Sequence, residues 1–284
     1  MQPKCCRYFQ ELMNILEKIV ARKHVEIQEA KKLKSVSDLE KEALFSRKTV
    51  SLSAALKSAV IPQIISEFKR KSPSKGIING QVLPEIVTTD YVKAGAAALS
   101  VLTDIDFFGG SFDDFLRARK ANPAIPMLRK DFIVDSYQLY EAKSIGADII
   151  LLIAACLSPD EIKSLSTTAH ELGLEVLLEV HNSEELHSTL FDTIDIVGVN
   201  NRNLKTFETS IETSIELSEQ IPDSFVKISE SGLKDADTIL RLYQYGYKGF
   251  LIGETFMKTV NPGAALADLQ KDISQLNNSN PLVL

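Results

Sequence analysis

The chain has 284 residues, 44% hydrophobic and 25% charged, an ordinary globular balance with room for one large domain or two small ones. A formal net charge of −6 argues against nucleic acid or an anionic membrane as the main partner, so an anionic substrate must meet locally concentrated positive charge. Cys5, Cys6 and Cys156 make no disulfide framework, His24, His170, His181 and His187 lack metal-ligand spacing, and the sequence shows neither a signal-peptide core nor a run near the roughly 20 apolar residues that span a bilayer, which together predict a reducing, cytoplasmic setting and no metal.

Residues 1–55 read as polar and helical. Residues 11–33 carry Leu12, Leu16, Ile19, Val20 and Ile27 at helical spacing among Lys and Glu. Ser37 with Glu40 reads as a capping box opening a second helix over 38–45, and Ser53 stands where a third could open. The segment is either an interaction arm or an extension packed on the main domain.

From residue 60 the rhythm changes. Apolar, strand-like runs occur at 60–68, 97–102, 125–128, 148–153, 175–180, 194–199, 225–228 and 249–252. Amphipathic stretches at 83–94, 113–121, 136–145, 159–172, 183–191, 210–220, 235–245 and 262–276 alternate with them. Gly95, Gly146, Gly173 and Gly246 stand where a left-handed residue would end a helix and feed a buried strand. Eight strands alternating with eight helices predict a (β/α)8 TIM barrel. A doubly wound open sheet is disfavoured by the count and by the missing Gly-x-Gly-x-x-Gly after the first strand. No Pro-, Gly- or Ser-rich linker interrupts the chain, so residues 1–284 are expected to form a single domain with 1–55 as a helical N-terminal extension.

In such a barrel the active site lies at the C-terminal ends of the strands. Those ends carry Glu67 and Lys69, which share one face of an extended segment, then Thr103 to Gly110 with Phe107 and Phe108, then Lys130, Asp131 and Phe132. Glu179, Asn200 to Arg202, Ser229 to Gly232, and Gly253 with Glu254 follow; strand 4 runs into Ala154, Ala155 and Cys156 with no charge. Ser231-Gly232 and Gly253-Glu254 sit after strands 7 and 8, where glycine lets backbone N–H groups approach a phosphate, although plain turns would give the same residues. Lys69 and Lys130, gathered with other cations in a dry pocket, are expected to have pKa values lowered toward neutrality and to donate protons. Each could instead make a structural ion pair, with Glu67 or Glu179 as partner. His181 follows a strand-like run and could line a pocket, with a surface position the favoured reading.

The motifs Glu67-Phe-Lys-Arg-Lys-Ser-Pro-Ser74, Leu99-Ser-Val-Leu-Thr103 with Phe107-Phe-Gly-Gly-Ser111, and Leu128-Arg-Lys-Asp-Phe-Ile-Val134 come on successive strands. Leu177-Leu-Glu-Val180, Gly198-Val-Asn-Asn-Arg-Asn-Leu204, Ser229-Glu-Ser-Gly232 and Leu251-Ile-Gly-Glu254 continue the series. In this order the chain resembles the indole-3-glycerol-phosphate synthase family of tryptophan biosynthesis; the N-terminal helices resemble that family's extension only loosely, and residues 46–49 add nothing.

The resemblance implies ring closure, decarboxylation and dehydration of 1-(2-carboxyphenylamino)-1-deoxyribulose 5-phosphate, without cofactor or metal. It assigns Lys130 as general acid, Glu179 to proton transfer in the dehydration, and Glu67 to orienting the lysines and stabilising cationic charge. Lys69 would pair with the substrate carboxylate or act as acid in the dehydration. Glu230 would be a further acid, with Asn200 and Ser231 holding polar groups of the substrate. Arg202, Gly232, Gly253 and the backbone of Glu254 would take the phosphate, Phe108 and Phe132 the anthranilate ring, and Ser72 would touch substrate from a mobile 72–76 loop.

Two positions depart from the family pattern. Glu254 stands where some relatives have a small hydroxyl residue, and its side chain is expected to point away from the phosphate; Asn203 stands where an acid often follows the arginine. A phosphoribosylanthranilate isomerase-like barrel, or a non-catalytic barrel working in a complex through residues 1–55, are the competing readings. The pairing of Lys69, Lys130 and Glu179 argues against the first and the full constellation against the second. A monomer and a complex with other pathway enzymes are equally compatible with the sequence.

Overall fold

The computed structural model describes residues 14–203 and 206–279; Cys5, Cys6, residues 11–13 of the predicted first helix, and Leu204 of the motif that starts at Gly198 lie outside them. Eight parallel strands, β1 (Gln63–Phe68), β2 (Ala98–Leu102), β3 (Met127–Lys130), β4 (Ile149–Ile153), β5 (Glu175–Val180), β6 (Ile196–Asn200), β7 (Val226–Glu230) and β8 (Tyr247–Ile252), close into a barrel. β1 hydrogen-bonds to β2 on one side and to β8 on the other, which completes the ring. The expected (β/α)8 architecture is therefore present. Most strands are buried on both faces, as parallel sheets covered by helices require.

The helices are α1 (Ile15–Leu33), α2 (Val36–Leu39), α3 (Leu52–Ser58), α4 (Pro84–Lys93), α5 (Phe112–Ala121), α6 (Tyr137–Ser144), α7 (Pro159–Glu171), α8 (Ser183–Thr189), α9 (Glu212–Ser218), α10 (Ala236–Gln244), α11 (Glu254–Met257) and α12 (Pro262–Ser279). A short antiparallel pair, Lys71–Ser72 with Gly76–Ile77, follows β1. The four glycines expected to end helices all adopt positive φ, between 70° and 93°. Among the described residues, no helix is long and apolar enough to cross a membrane.

Two apolar layers make the core. Ile65, Leu128, Ile149, Leu151, Leu177, Ile196 and Ile228 fill the barrel interior, while a larger cluster lies between the strands and the outer helices. Leu52 and Leu56 of α3 join the interior cluster and are fully buried. α3 thus stops the end of the barrel where the strands begin.

Residues 14–58 pack on the barrel rather than standing off as an arm. At the strand-beginning end, the Glu175 Oε2 atom accepts from the Leu52 and Ser53 N–H groups at 2.9 and 3.1 Å. Arg47 and Arg119 both pair with the fully buried Asp148, so the 46–49 stretch, which added nothing to the resemblance, anchors the extension to the barrel.

Two predicted caps move. The capping box is Ser35 with Asp38, not Ser37 with Glu40, and it opens a single turn rather than a helix over 38–45. That turn ends because Leu39 is buried with Ile27 and Tyr137, and the chain must then turn to stack Phe45 on Tyr140, ring centroids 6.4 Å apart. Ser51, not Ser53, caps α3; the Ser53 hydroxyl donates to Glu175 Oε1 at 2.7 Å instead.

Candidate active site

A cavity of about 570 Å³ opens at the C-terminal ends of the strands, and every residue singled out above as catalytic or substrate-contacting lines it. The register explains the convergence. Asn200 pairs with Glu230, Glu230 with Leu251, Lys130 with Leu102, and Glu179 with Gly198, so the last inward positions of neighbouring strands form one ring of side chains.

At the centre of the ring is Lys130. Its Nζ donates to Glu179 Oε2 at 3.0 Å and to Glu230 Oε2 at 2.7 Å. The Asn200 amide donates to the other Glu179 oxygen at 2.9 Å, and Asn200 Oδ1 accepts from the Arg202 N–H at 3.0 Å. Lys69 Nζ lies 2.5 Å from Glu67 Oε1. The Glu67, Glu179 and Glu230 side chains are only 4%, 6% and 3% exposed, so these charges act on one another through little water.

Burial pushes the Glu230 carboxyl above the usual range, helped by the nearby Glu179 and Glu67 charges and opposed by Lys130. Glu179 goes the other way: burial favours its neutral form, but Lys130 and then His181 outweigh that and hold it well below the usual range. The same balance corrects the expectation for Lys130. Burial alone would lower its pKa, but Glu179, Glu230 and Glu67 raise it above the ordinary lysine value. Both lysines are held as ion pairs at the mouth, Lys69 with Glu67 and Lys130 with Glu179 and Glu230.

One end of the cavity is apolar. Phe108 and Phe132 pack on one another, ring centroids 5.9 Å apart and planes tilted by 37°, and Leu102, Leu151 and Ile153 add apolar surface to the cavity wall. Asp104 Oδ1 accepts from the Phe107 and Phe108 N–H groups at 2.8 and 3.0 Å, which sets the loop carrying Phe108. Ile15, Leu16 and Ile19 of α1 reach the same cavity.

The other end is polar. Ser231 and Gly232 both adopt positive φ, 68° and 75°, turning the backbone after β7. A side chain at 232 would sit 2.6 Å from Thr209 Cγ2, and one at 253 only 2.4 Å from Glu67 Oε1. Arg202, Lys75, Lys234 and Lys258 line this end, a local excess of cations on a net acidic chain. The Arg202 Nη1 group lies 3.3 Å from the Ser74 hydroxyl of the 72–76 loop. Glu254 does not point away: its Oε2 is 3.7 Å from Arg202 Nη2, since the guanidinium attracts the nearest carboxylate.

Three features escaped the sequence. His181 is tucked against the ring rather than on the surface, its Nε2 3.4 Å from Glu179 and its Nδ1 3.1 Å from Glu185; the Glu185 spacing of four was the available signal. Burial would lower its pKa, but the two carboxylates raise it to about 9. The α1 side chains at the mouth were legible only as an amphipathic stripe. Lys23, in the middle of that stripe, is buried. Among the described residues, no group of three His, Cys, Asp or Glu side chains could hold a metal ion.

Residues 16–269 match the family model described as indole-3-glycerol phosphate synthase. The chain is 47% identical over 265 residues to an indole-3-glycerol phosphate synthase of Bacteroides thetaiotaomicron, covering 92% of this chain and 100% of that one. It is 42% identical over 261 residues to one from a Polaromonas species, covering 91% and 98%. Among solved structures, 3-hexulose-6-phosphate synthase of Salmonella typhimurium superposes with a TM-score of 0.60 at 12% identity, over 75% of this chain and 99% of that one. Thiamine phosphate pyrophosphorylase of Pyrococcus furiosus gives 0.56 at 13%, over 76% and 96%. At such identities these two speak for the barrel alone.

Proposed function

The chain belongs to the indole-3-glycerol phosphate synthase family, and on that premise we propose how its own residues divide the work. The reaction is the conversion of 1-(2-carboxyphenylamino)-1-deoxyribulose 5-phosphate to indole-3-glycerol phosphate in tryptophan biosynthesis, by a carboxy-lyase.

The observation that carries the proposal is Lys130 held between Glu179 and Glu230 in a nearly dry pocket. The acids keep Lys130 protonated, so it meets the substrate carbonyl as a loaded donor. As the aromatic carbon attacks the carbonyl carbon, Lys130 passes its proton to the carbonyl oxygen, which becomes a hydroxyl. Glu230, with its raised pKa, can return a proton to the lysine. Ring closure leaves positive charge on the anilino nitrogen, and Glu67 and Glu179 stabilise it electrostatically. Carbon dioxide then departs and leaves its bonding electrons to the ring. In the dehydration an acid, Lys130 or Lys69, protonates the departing hydroxyl while Glu179, held by Asn200 and His181, takes a proton from the neighbouring ring methylene carbon, so the ring double bond forms and the N–H stays.

The two ends of the cavity suit the two ends of the substrate. Phe108 and Phe132 clasp the anthranilate ring, and Lys69 meets its carboxylate. Arg202 and the N–H groups around Gly232, Gly253 and Glu254 take the phosphate, with Ser231 and Ser72 on polar groups between. All of these lie on one chain, which supports activity as a monomer; sedimentation of active enzyme tests this. The free, half-buried Cys156 fits a reducing cytoplasm. We read extension and barrel as one domain, which a single unfolding transition would bear out.

The test is indole fluorescence on mixing protein with substrate, clean here because the chain has no tryptophan. Lys130→Ala and Glu179→Gln, with folding intact by circular dichroism, should abolish the rise. Unchanged turnover in both would overturn the assignment of roles.

A further inference from the structure

α1 presents Ile15, Ile19, Lys23 and Ile27 at four-residue intervals, so one face of the helix is apolar except for a single ammonium. The Lys23 side chain is 4% exposed. An ammonium so buried needs carboxylates around it. It lies 2.8 Å from Asp104, 3.0 Å from Asp131 and 2.8 Å from Glu26.

Its two barrel partners have other work. Asp104 takes the N–H groups of Phe107 and Phe108 and so fixes the loop after β2. Asp131 follows Lys130 directly. Its Oδ1 accepts from the Phe132 N–H at 2.9 Å, and its Oδ2 accepts from Thr103 at 2.6 Å and from Arg129 at 3.0 Å. Arg129 is bonded in turn to Glu141. One ammonium from the extension therefore ties together the segments that carry both aromatic rings and the central lysine.

We infer that Lys23 is a positioning residue for catalysis, which holds Phe108, Phe132 and Lys130 in register by bridging Asp104 and Asp131. The inference rests on the reading of Lys130 as the acid. A merely structural role for Lys23 would duplicate what the extension already has at the opposite end, where Arg47 pairs with Asp148 and Glu175 receives α3. That second link supplies the control.

The experiment compares Lys23→Met, Arg47→Met and Lys130→Ala in full-length enzyme. Each is measured for kcat, KM, the pH profile of kcat and the thermal midpoint. A displaced catalytic group costs up to about a hundredfold per ångström, so Lys23→Met should lower kcat at least tenfold while folded. Its acidic limb should move to higher pH, because Asp131, which burial would raise but Arg129 and Lys23 hold low, loses one of its two cations; Asp104, Glu26, Glu141 and Arg129 keep their places nearby. Arg47→Met should lower the thermal midpoint by a comparable amount and leave kcat within twofold. Unchanged kcat and pH profile in Lys23→Met overturns the positioning role. If that variant does not fold, Lys23→Met/Asp104→Asn, which removes one buried charge of each sign, carries the same expectation, and full kcat in it overturns the inference. Turnover surviving Lys130→Ala would overturn the reading of Lys130 itself. A dead Lys130→Ala beside a fully active Lys23→Met would overturn only the role of Lys23.

Discussion

Replacing Gly253 with alanine separates two uses of one glycine. The expected use is to let backbone N–H groups reach a phosphate, and a fault there raises KM. The structure adds a second use. A methyl group at 253 would stand 2.4 Å from Glu67 Oε1, 3.0 Å from its Cβ and 3.1 Å from its Cδ. Ordinary contact begins near 3.4 Å, so the carboxylate must retreat by about 1 Å. The Cβ contact cannot be relieved by turning the carboxylate alone, so the end of β1 or of β8 has to yield by a few tenths of an ångström. Overpacking of this kind costs about 1–3 kcal/mol of stability. Moving Glu67 carries Lys69 with it, since the two are paired at 2.5 Å. A displaced charge at the reacting centre then lowers kcat by about a hundredfold. The backbone at 253 has φ of −123°, so alanine meets no conformational obstacle and the effect is one of space alone. Steady-state kinetics by indole fluorescence, with a thermal melt, measures both terms. A kcat within twofold of the parent, with only KM raised, would refute the reasoning and leave Gly253 a phosphate residue.

Lys130→Met should abolish turnover and cost about 3–5 kcal/mol of stability at pH 8, because Glu179 and Glu230 are left buried together. Without the cation their folded pKa values rise above the unfolded ones, so the variant regains stability as pH falls toward 5; equal losses at pH 5 and pH 8 in melts would contradict this. His181, raised to about 9, gives stability that is complete below its unfolded pKa near 6.5 and is lost as pH rises through 9. Melting from pH 6 to 10 should show a decline of at most about 3 kcal/mol that His181→Gln flattens. Arg202→Met should raise KM by about tenfold or more with kcat nearly unchanged, as loss of a charged phosphate contact requires. Glu254→Gln should lower KM, because it removes a carboxylate that competes with phosphate for Arg202; a raised KM would argue against that competition.

Most of the architecture could be read from apolar runs because each barrel strand is buried on both faces, so its sequence carries no alternation to misread. Glycines at 95, 146, 173 and 246 marked the helix ends because only a left-handed residue lets the chain reverse so tightly into a strand. The polar residues of the site were legible for a related reason: at the mouth, strand ends are where charge is tolerated. What failed was whatever depends on distant neighbours. The pKa of Lys130 turned on the sign of its closest charges, and a list of cations and acids does not say which stand nearest. His181 came to lean on Glu179 only because the chain after β5 brings Glu185 to its other side. Lys23 looked like one more solvated lysine on a polar helix; its position inside the Ile15, Ile19, Ile27 stripe was the clue.

The way the first residues clasp the barrel at both ends also orders events during folding. Lys23 must wait for Asp104 and Asp131, Arg47 for a partner 101 residues downstream, and Ser51 for one 124 residues downstream. The extension is therefore made before its partners and has nothing to dock on until the strands that carry them have followed it. Closing such long loops is costly before the contacts form, which places the seating of α1 and α3 late in assembly. Since α1 also lines the cavity, catalytic competence in a nascent chain would report that this extension has at last found its seat.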